Sequence, residues 1–377
     1  MKIAFVMSRF DYSNVENKYG IGYYIAEHFK KNNCEIEYYL HDNSNYEFPF
    51  KIKQGIYKYF SSKKYYRSRE PKLLKSQTAP LIDKIYQSDC DIAFSFGSLP
   101  IAYLNIKIPV FFWTDAFFSG LTNFYEEFTD LSESTLQNGN QIEIDAVNNS
   151  KKIFVSSQWA KDDAIKSYNV NPDKILVIPF GPNLDINHSE KYINDLIEKK
   201  DKTKINLLFL GKEWIRKGGD IAHNITEELN KKGINAKLLV VGCKDCNIQS
   251  KFIENYGFLY KSKKEDADKL KELFETSHYL IMPSRAETFG HVFCEANAFG
   301  MPNIASKNGG IPSVITNDIN GKLIDSIEDI TSYIIDKYNN YDDYKRLSMY
   351  SFNEFKSRLN WDSSIKNIIK EINSSIS

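Results

Sequence analysis

The chain has 377 residues, of which 42% are hydrophobic and 26% are charged. This composition is typical of soluble globular proteins and excludes a disordered chain, and the length predicts two or three domains. Lysine plus arginine and aspartate plus glutamate both number 49, so the formal net charge is zero. Because dedicated nucleic-acid-binding proteins are usually basic, we do not expect nucleic acid among the partners.

We expect a cytoplasmic protein from two features, the lack of a recognisable targeting signal and the pattern of cysteines. The opening residues MKIAFVMSRF form too short an apolar run for a signal peptide, and no run of 18 apolar residues predicts a transmembrane helix. An odd number of scattered cysteines predicts reduced, buried thiols: Cys34, Cys90, Cys243, Cys246 and Cys294. The CxxC spacing of Cys243 and Cys246 lacks a second pair or a nearby histidine, so we interpret it as structural rather than zinc-binding or redox-active.

Short apolar runs alternate with helical stretches through the first half of the chain. The first amphipathic helix is expected over 21–31, after a Gly-containing turn. The runs predict buried parallel strands over 2–7, 35–40, 91–96, 109–113, 153–155 and 175–178. This alternation is typical of a parallel α/β sheet.

A second α/β series follows a polar stretch at 183–203. We expect helices over 218–231, 265–276 and 292–299, with a helical tail from about Ile327. Strands are expected over 205–210, 237–241, 258–259, 279–282 and 303–306. Two successive doubly wound units favour a bilobed enzyme, and ligands bind such sheets beyond the carboxyl ends of the strands.

The strongest constellation of polar residues follows the predicted strand over 279–282. It has the frame Pro-Ser-x-x-Glu-x-Phe-Gly-x-x-x-x-Glu-Ala, from Pro283 onward. Glycine at 290 lets backbone approach a ligand, and the helix start at Phe289, Gly290, His291 and Val292 offers N–H groups to a diphosphate. We expect Glu295 to bind ribose hydroxyls and Glu287, on the preceding loop, to bind sugar hydroxyls.

This frame resembles the Glu-x7-Glu signature of the family-4 (group 1) retaining glycosyltransferases of the GT-B fold. The resemblance implies two Rossmann-like doubly wound α/β domains that face each other across a cleft. It places an acceptor-binding domain at 1–183, a nucleotide-sugar-binding domain at 184–361, and a C-terminal helix, 362–377, packed back on the first domain. It also implies front-face attack with retention and without a covalent enzyme intermediate.

Further segments match the same family in order. The segment Phe209-Leu-Gly-Lys212-Glu-Trp-Ile-Arg-Lys217-Gly resembles its phosphate-binding loop, with Lys212 at a position where the family usually has arginine. The two cations, Lys212 and Lys217, would neutralise charge on the departing diphosphate. An arginine could bind a phosphate through two parallel hydrogen bonds, whereas the lysine ammonium acts as a point charge. Gly20 and Gly22 resemble the Gly-rich loop that approaches the donor phosphates.

The acceptor side of the predicted site departs from the family. Many members have a histidine near the end of the strand over 109–113, and this sequence has none there. We therefore choose Asp115 as the residue that contacts the acceptor hydroxyl or donor sugar, with capping of the next turn as the alternative.

The pair Asp89 and Asp91 precedes a strand, so we interpret it as structural. We expect no metal and no cofactor, the donor substrate being a nucleotide-diphosphate sugar.

Residues 51–75 contain nine lysines and arginines interleaved with aromatic residues. This composition suits peripheral contact with anionic lipid headgroups at the inner membrane face, an anionic acceptor, or a solvated loop.

The family resemblance implies transfer to a glycan, lipid-linked or other hydroxyl acceptor, as in surface polysaccharide synthesis. Two alternatives stay open: a sugar-nucleotide epimerase, and a nucleotide-sugar-binding scaffold subunit without turnover.

Overall fold

The computed structural model describes residues 1–8, 20–41, 47–244 and 249–376, which contain two six-stranded sheets. The chain divides into two units, Met1–Pro179 with Ser364–Ser377, and Phe180–Ser363. Each unit has its own sheet, and the strand pairs within both sheets are parallel. The fold is therefore doubly wound α/β in each unit.

The first unit has the strand order β2-β1-β3-β4-β5-β6. Its strands are β1 (Lys2–Met7), β2 (Glu35–Leu40), β3 (Ile92–Phe96), β4 (Val110–Thr114), β5 (Lys152–Val155) and β6 (Ile175–Val177). Strands β3 and β4 are buried at every residue, as expected where helices cover both faces of a parallel sheet. Strand β2 pairs on one side of β1, and β3 and the later strands are added on its other side, so the strand order reverses between β1 and β3.

Helices cover this first sheet. They are α1 (Ile21–Lys31), α2 (Glu47–Phe60), α3 (Pro71–Tyr86), α4 (Phe118–Leu121), α5 (Glu133–Asn149) and α6 (Gln158–Tyr168). Helix α6 begins after a serine cap, because the Ser157 hydroxyl accepts a hydrogen bond from the Ala160 N–H at 3.2 Å. The basic stretch 51–75 is largely helical, so the solvated loop considered from sequence is wrong.

The second unit has the strand order β12-β11-β10-β7-β8-β9. Its strands are β7 (Ile205–Leu210), β8 (Ala236–Val241), β9 (Ile253–Asn255), β10 (Tyr279–Met282), β11 (Asn303–Ala305) and β12 (Gly321–Leu323). Its helices are α7 (Glu190–Glu198), α8 (Gly219–Lys231), α9 (Lys264–Thr276), α10 (His291–Ala298), α11 (Ile311–Val314), α12 (Ile327–Asn339) and α13 (Tyr341–Ser357).

The two edge strands of this sheet differ from the sequence-based expectation. The strand expected over 258–259 is wrong: the edge strand is β9, which pairs with β8 through Leu238 and Ile253. Its residues Glu254 and Asn255 are exposed, so no apolar run marks it. Strand β12 has only three residues and begins with a glycine, so no apolar run predicts it.

The last helix, α14 (Trp361–Ile376), completes the core of the first unit. Its side chains Ile365, Ile368 and Ile372 are fully buried. Within the same unit, Lys152 Nζ lies 2.6 Å from a carboxylate oxygen of Glu371. Residues that are distant in sequence therefore close the first hydrophobic core.

Truncation of Ile368 tests this role of α14. We expect Ile368→Ala to destabilise the first unit by about 2–5 kcal/mol, because it leaves a cavity in a filled core. Hydrogen exchange measured by mass spectrometry should show faster exchange in β3, β4 and β5 and little change in β7. The control Ile376→Ala, at a side chain 42% exposed in the same helix, should leave exchange unchanged. Equal effects of the two variants would contradict this packing.

His278, beside β10 in the second unit, is held in its neutral form. Its Nδ1 accepts a hydrogen bond from the Asn206 N–H at 3.1 Å, and its Nε2 lies 2.9 Å from the Asp201 carbonyl oxygen, to which it donates. An imidazolium could not accept the first of these bonds. Burial, together with the nearby charge of Lys200, lowers the pKa of His278 from 6.5 to about 3.

This pKa predicts the acid sensitivity of the second unit. Between pH 6.5 and pH 3 the unfolded chain binds a proton at His278 that the folded chain does not, so stability falls as the pH falls. From pH 8 to pH 5 the loss is about 2 kcal/mol from this residue. Urea unfolding of His278→Gln should show a lower stability at pH 8 but a flatter decline toward pH 5. A decline as steep as that of the wild type would contradict the assignment.

Candidate active site

The predicted donor-binding residues of the second unit lie at one point of its sheet. The chain runs from β7 to β9 toward one edge and from β10 to β12 toward the other, so the strand order reverses between β7 and β10. The loop 211–218 follows β7, and the loop 283–290 follows β10. In doubly wound sheets the crevice at such a switch point is where ligands bind.

A direct backbone contact joins these two loops. Gly218 has φ 76°, a left-handed conformation, and a Cβ at that position would lie only 2.1 Å from the carbonyl oxygen of Pro283. Only glycine fits there without moving the backbone. The Arg285 N–H also donates to the Arg216 carbonyl oxygen at 2.7 Å. These contacts fix the distance between the two loops.

Two arginines for which the sequence predicts no role, Arg216 and Arg285, strengthen the connection. The Arg216 guanidinium donates to the Ala286 carbonyl oxygen at 2.9 Å. The Arg285 guanidinium binds both carboxylate oxygens of Asp220, on helix α8, at 2.8 and 2.7 Å. Bidentate pairs of this type fix orientation as well as distance. No short motif signals them, because the partners lie 65 positions or more apart.

Lys217 and Glu287 form an ion pair across the two loops. The Lys217 ammonium contacts a carboxylate oxygen of Glu287, and the two side chains are 16% and 10% exposed. The backbone carbonyl oxygen of Glu287 accepts a hydrogen bond from the Gly310 N–H at 3.0 Å. Two of the residues expected to act on the donor are thus brought together in a largely buried position, where charge interactions are stronger than in water.

Helix α10 starts at this point. Its N-cap Gly290 has φ 90°, and a Cβ there would lie 2.5 Å from the Phe293 ring and 3.4 Å from Glu287 Cγ. The first N–H groups of a helix lack partners within the helix, and the helix dipole favours an anion beside them. The start of α10, at His291 and Val292, is therefore a suitable site for a phosphate group.

The side chains of Phe289 and His291 pack away from that position. Phe289 is 1% exposed, and its ring lies 5.2 Å from the ring of Phe180. The His291 ring stacks on Phe180 at 5.3 Å, and its Nδ1 donates to the Gly181 carbonyl oxygen at 2.8 Å. What these two residues can offer a ligand is their backbone, while their rings anchor the loop to the core.

Glu295 lies in the second turn of α10 and is held by a second lysine. Its Oε1 accepts hydrogen bonds from Lys261 Nζ at 3.0 Å and from the Asn183 N–H at 3.2 Å. The side chain of Glu295 is 7% exposed and that of Lys261 is 44% exposed. Sequence reasoning missed Lys261, which stands in a lysine-rich stretch after β9 without a motif of its own.

Lys212 lies at the beginning of the first loop and is exposed. Its backbone carbonyl oxygen lies 3.7 Å from Cys243 Sγ, the weak donor at the end of β8. This buried contact gives Cys243 a structural position, while Cys246 lies outside the described residues. The exposed Lys212 places a positive charge in the loop that follows β7.

The predicted residues of the first unit lie at the carboxyl edge of its own sheet. Gly20, with φ 78°, is the N-cap of α1, and Gly22 lies in the first turn of that helix. Asp115 directly follows β4 and is partly buried. The carboxylates of Asp89 and Asp91, in contrast, bind the side chain and backbone N–H of Lys2 near the start of β1. That arrangement is a structural one.

The chain is similar in sequence to known glycosyltransferases over part of its length. Residues 191–354 match the family model for glycosyl transferases group 1. An uncharacterized glycosyltransferase of Methanocaldococcus jannaschii is 29% identical over 187 residues, which cover 45% of this chain and 46% of that protein. A D-inositol 3-phosphate glycosyltransferase of Corynebacterium diphtheriae is 23% identical over 199 residues, which cover 49% and 46%. The chain thus spans about half the length of the curated relatives it matches.

The fold matches solved structures over nearly its whole length. The crystal structure of Anabaena HepE in complex with UDP has a TM-score of 0.66 and 16% sequence identity, and the match covers 99% of this chain and 100% of that one. The predicted GT-B fold is confirmed. The chain thus has the GT-B fold, and its residues 191–354 match the family model for glycosyl transferases group 1.

Proposed function

We propose that the chain transfers a sugar from a nucleotide-diphosphate donor to a hydroxyl acceptor, with retention of configuration at the anomeric carbon. The observation that carries this proposal is the convergence of Lys217, Glu287 and the start of α10 at the switch point of one sheet. The group 1 match over 191–354 and the UDP bound by the similar Anabaena protein support a nucleotide donor.

The ion pair at the switch point explains how the donor is engaged. A diphosphate at the first N–H groups of α10 lies near Lys217 and carries more negative charge than the Glu287 carboxylate, so it attracts the lysine more strongly. The carboxylate released in this way accepts hydrogen bonds from the hydroxyls of the donor sugar. Glu295 accepts hydrogen bonds from the ribose hydroxyls in the same manner.

The transfer itself exchanges one carbon–oxygen bond for another. The bond between the anomeric carbon and the phosphate oxygen breaks, and the acceptor oxygen bonds to the same face of that carbon. The acceptor proton passes to the departing diphosphate, whose developing charge Lys217, Lys212 and the start of α10 stabilise. These groups supply the positive charge that a metal ion provides elsewhere, so we propose a metal-independent reaction. Asp115, in the first unit, orients the acceptor hydroxyl.

We propose a glycan or lipid-linked hydroxyl as the acceptor, as in surface polysaccharide synthesis. We place the reaction in the cytoplasm, in agreement with the buried cysteines Cys34, Cys90, Cys243 and Cys294.

Removal of either member of the ion pair should slow turnover. We expect Lys217→Ala and Glu287→Ala each to lower kcat at least about a hundredfold, since one charge-stabilising contact contributes about 3 kcal/mol to the transition state. The measurement is steady-state transfer with the donor identified below. Lys231→Ala, on the exposed last turn of α8, is the matched control and should be as active as the wild type. Near-normal turnover of both site variants would refute these roles.

A double variant separates catalysis from a purely structural ion pair. Lys217→Met combined with Glu287→Gln removes both charges, so neither is left buried without a partner. We expect its melting temperature to lie closer to that of the wild type than those of the single variants, while transfer stays at least about a hundredfold reduced. Recovery of both stability and transfer would show that the pair only holds the fold.

Ligand binding identifies the donor. We expect one of UDP, GDP and ADP, or its sugar conjugate, to stabilise the chain in a thermal-shift and calorimetry panel, by about 2.7 kcal/mol at a hundred times its dissociation constant. Glu295→Ala should abolish this stabilisation, because the ribose loses its carboxylate partner. Binding without hydrolysis or transfer to any acceptor would favour a nucleotide-sugar-binding scaffold. No binding by any nucleotide would remove the support for the proposed reaction.

A further inference from the structure

Helix α2 of the first unit turns its apolar side chains toward solvent. Five of them are at least half exposed: Phe48, Ile52, Ile56, Tyr59 and Phe60. Their spacing places them on one side of a helix with 3.6 residues per turn. Single exposed apolar residues are ordinary on protein surfaces, but a continuous stripe marks a surface that contacts another body. We call these five residues the apolar stripe.

The opposite side of α2 carries the polar and aromatic contacts with the rest of the unit. Glu47 is 9% exposed. Lys53 Nζ lies 3.1 Å from a carboxylate oxygen of Glu70, and the Tyr57 ring stacks on Tyr65 at 5.3 Å. The apolar stripe therefore lies outside the side through which α2 packs on the first unit. These contacts hold the apolar stripe outward.

Lysines flank the stripe. Lys51 and Lys58 are seven positions apart and so lie on the same side of α2, and both are exposed. The segment 47–64 contains five lysines and one carboxylate, whereas the whole chain has no net charge. Lys51 contacts Glu47 at 3.2 Å, and Lys63 contacts Asp130 at 3.6 Å, so part of this charge is balanced locally. The remainder favours an anionic partner.

We propose that α2 lies on the surface of an anionic phospholipid membrane, with the apolar stripe in the boundary between headgroups and acyl chains. Lys51 and Lys58 then lie at the level of the lipid phosphates, which gives the apolar and the electrostatic contributions that stable surface binding requires. A second copy of the chain fits less well, because two stripes in contact would bring lysines of like charge together. Among the described ranges, no helix is long and apolar enough to cross a bilayer.

Vesicle co-sedimentation of the full chain tests this proposal. Vesicles of phosphatidylcholine alone are compared with vesicles containing about one third phosphatidylglycerol, at about 50 mM and about 500 mM NaCl. We expect binding to the anionic vesicles at low salt, and at least about tenfold weaker partitioning at high salt or on the neutral vesicles. Lys58→Gln should weaken partitioning about fivefold at low salt.

Two double variants separate the stripe from exposed apolar residues in general. Ile52→Gln with Ile56→Gln should weaken partitioning at least about tenfold, since two large apolar side chains no longer enter the membrane. The matched control is Ile319→Gln with Tyr350→Gln, at side chains 41% and 50% exposed in the second unit, and it should bind like the wild type. All four positions are exposed, so we expect wild-type melting temperatures.

Three outcomes would overturn the proposal. They are absence of binding to anionic vesicles at low salt, equal losses in the two double variants, and a wild-type dimer that the Ile52 and Ile56 substitutions dissociate. Light scattering after size-exclusion chromatography would detect such a dimer. Its dissociation by the substitutions would show that the apolar stripe is an interface between two copies of the chain. The proposal does not depend on the donor chemistry: nucleotide binding by the Ile52 and Ile56 variant should equal that of the wild type, whichever vesicle result is obtained.

Discussion

The backbone contact between Gly218 and Pro283 is the constraint on which the candidate site depends. The two residues belong to loops that follow adjacent strands, β7 and β10, and a single added carbon at Gly218 would push the loops apart. With the loops in contact, Lys217 and Glu287 meet, and α10 starts beside them. The geometry of this region therefore depends first on Gly218, a residue without a side chain.

Both glutamates of the proposed site are paired with a lysine from a different loop. Glu287 contacts Lys217 from the loop after β7, and Glu295 contacts Lys261 from the segment after β9. Each pair satisfies charges that would be costly to bury alone. Since the carboxylates are held before any ligand arrives, a ligand reorganises existing ion pairs rather than ordering free side chains. Less conformational entropy is lost in such an exchange.

Much of this arrangement could be predicted from the sequence because it is local. The apolar runs of the buried strands, the frame that contains Glu287, Gly290 and Glu295, and the fold they imply are all visible within short windows. The edge strand β9 was placed wrongly, since only one of its three residues is apolar. Lys261 and the Arg285–Asp220 pair were missed because their partners are brought together by tertiary structure alone, which no spacing records.

Helix α14 belongs to the first unit from Ser364 onward, although residues 180–363 separate this part from the rest of that unit. On the ribosome, the whole second unit is therefore translated before Ile365, Ile368 and Ile372 exist. At about 5–20 residues per second, the first unit waits roughly 10–40 s with part of its core open to solvent. Chaperones have that interval in which to bind the nascent chain, and slower translation of the second unit would lengthen it.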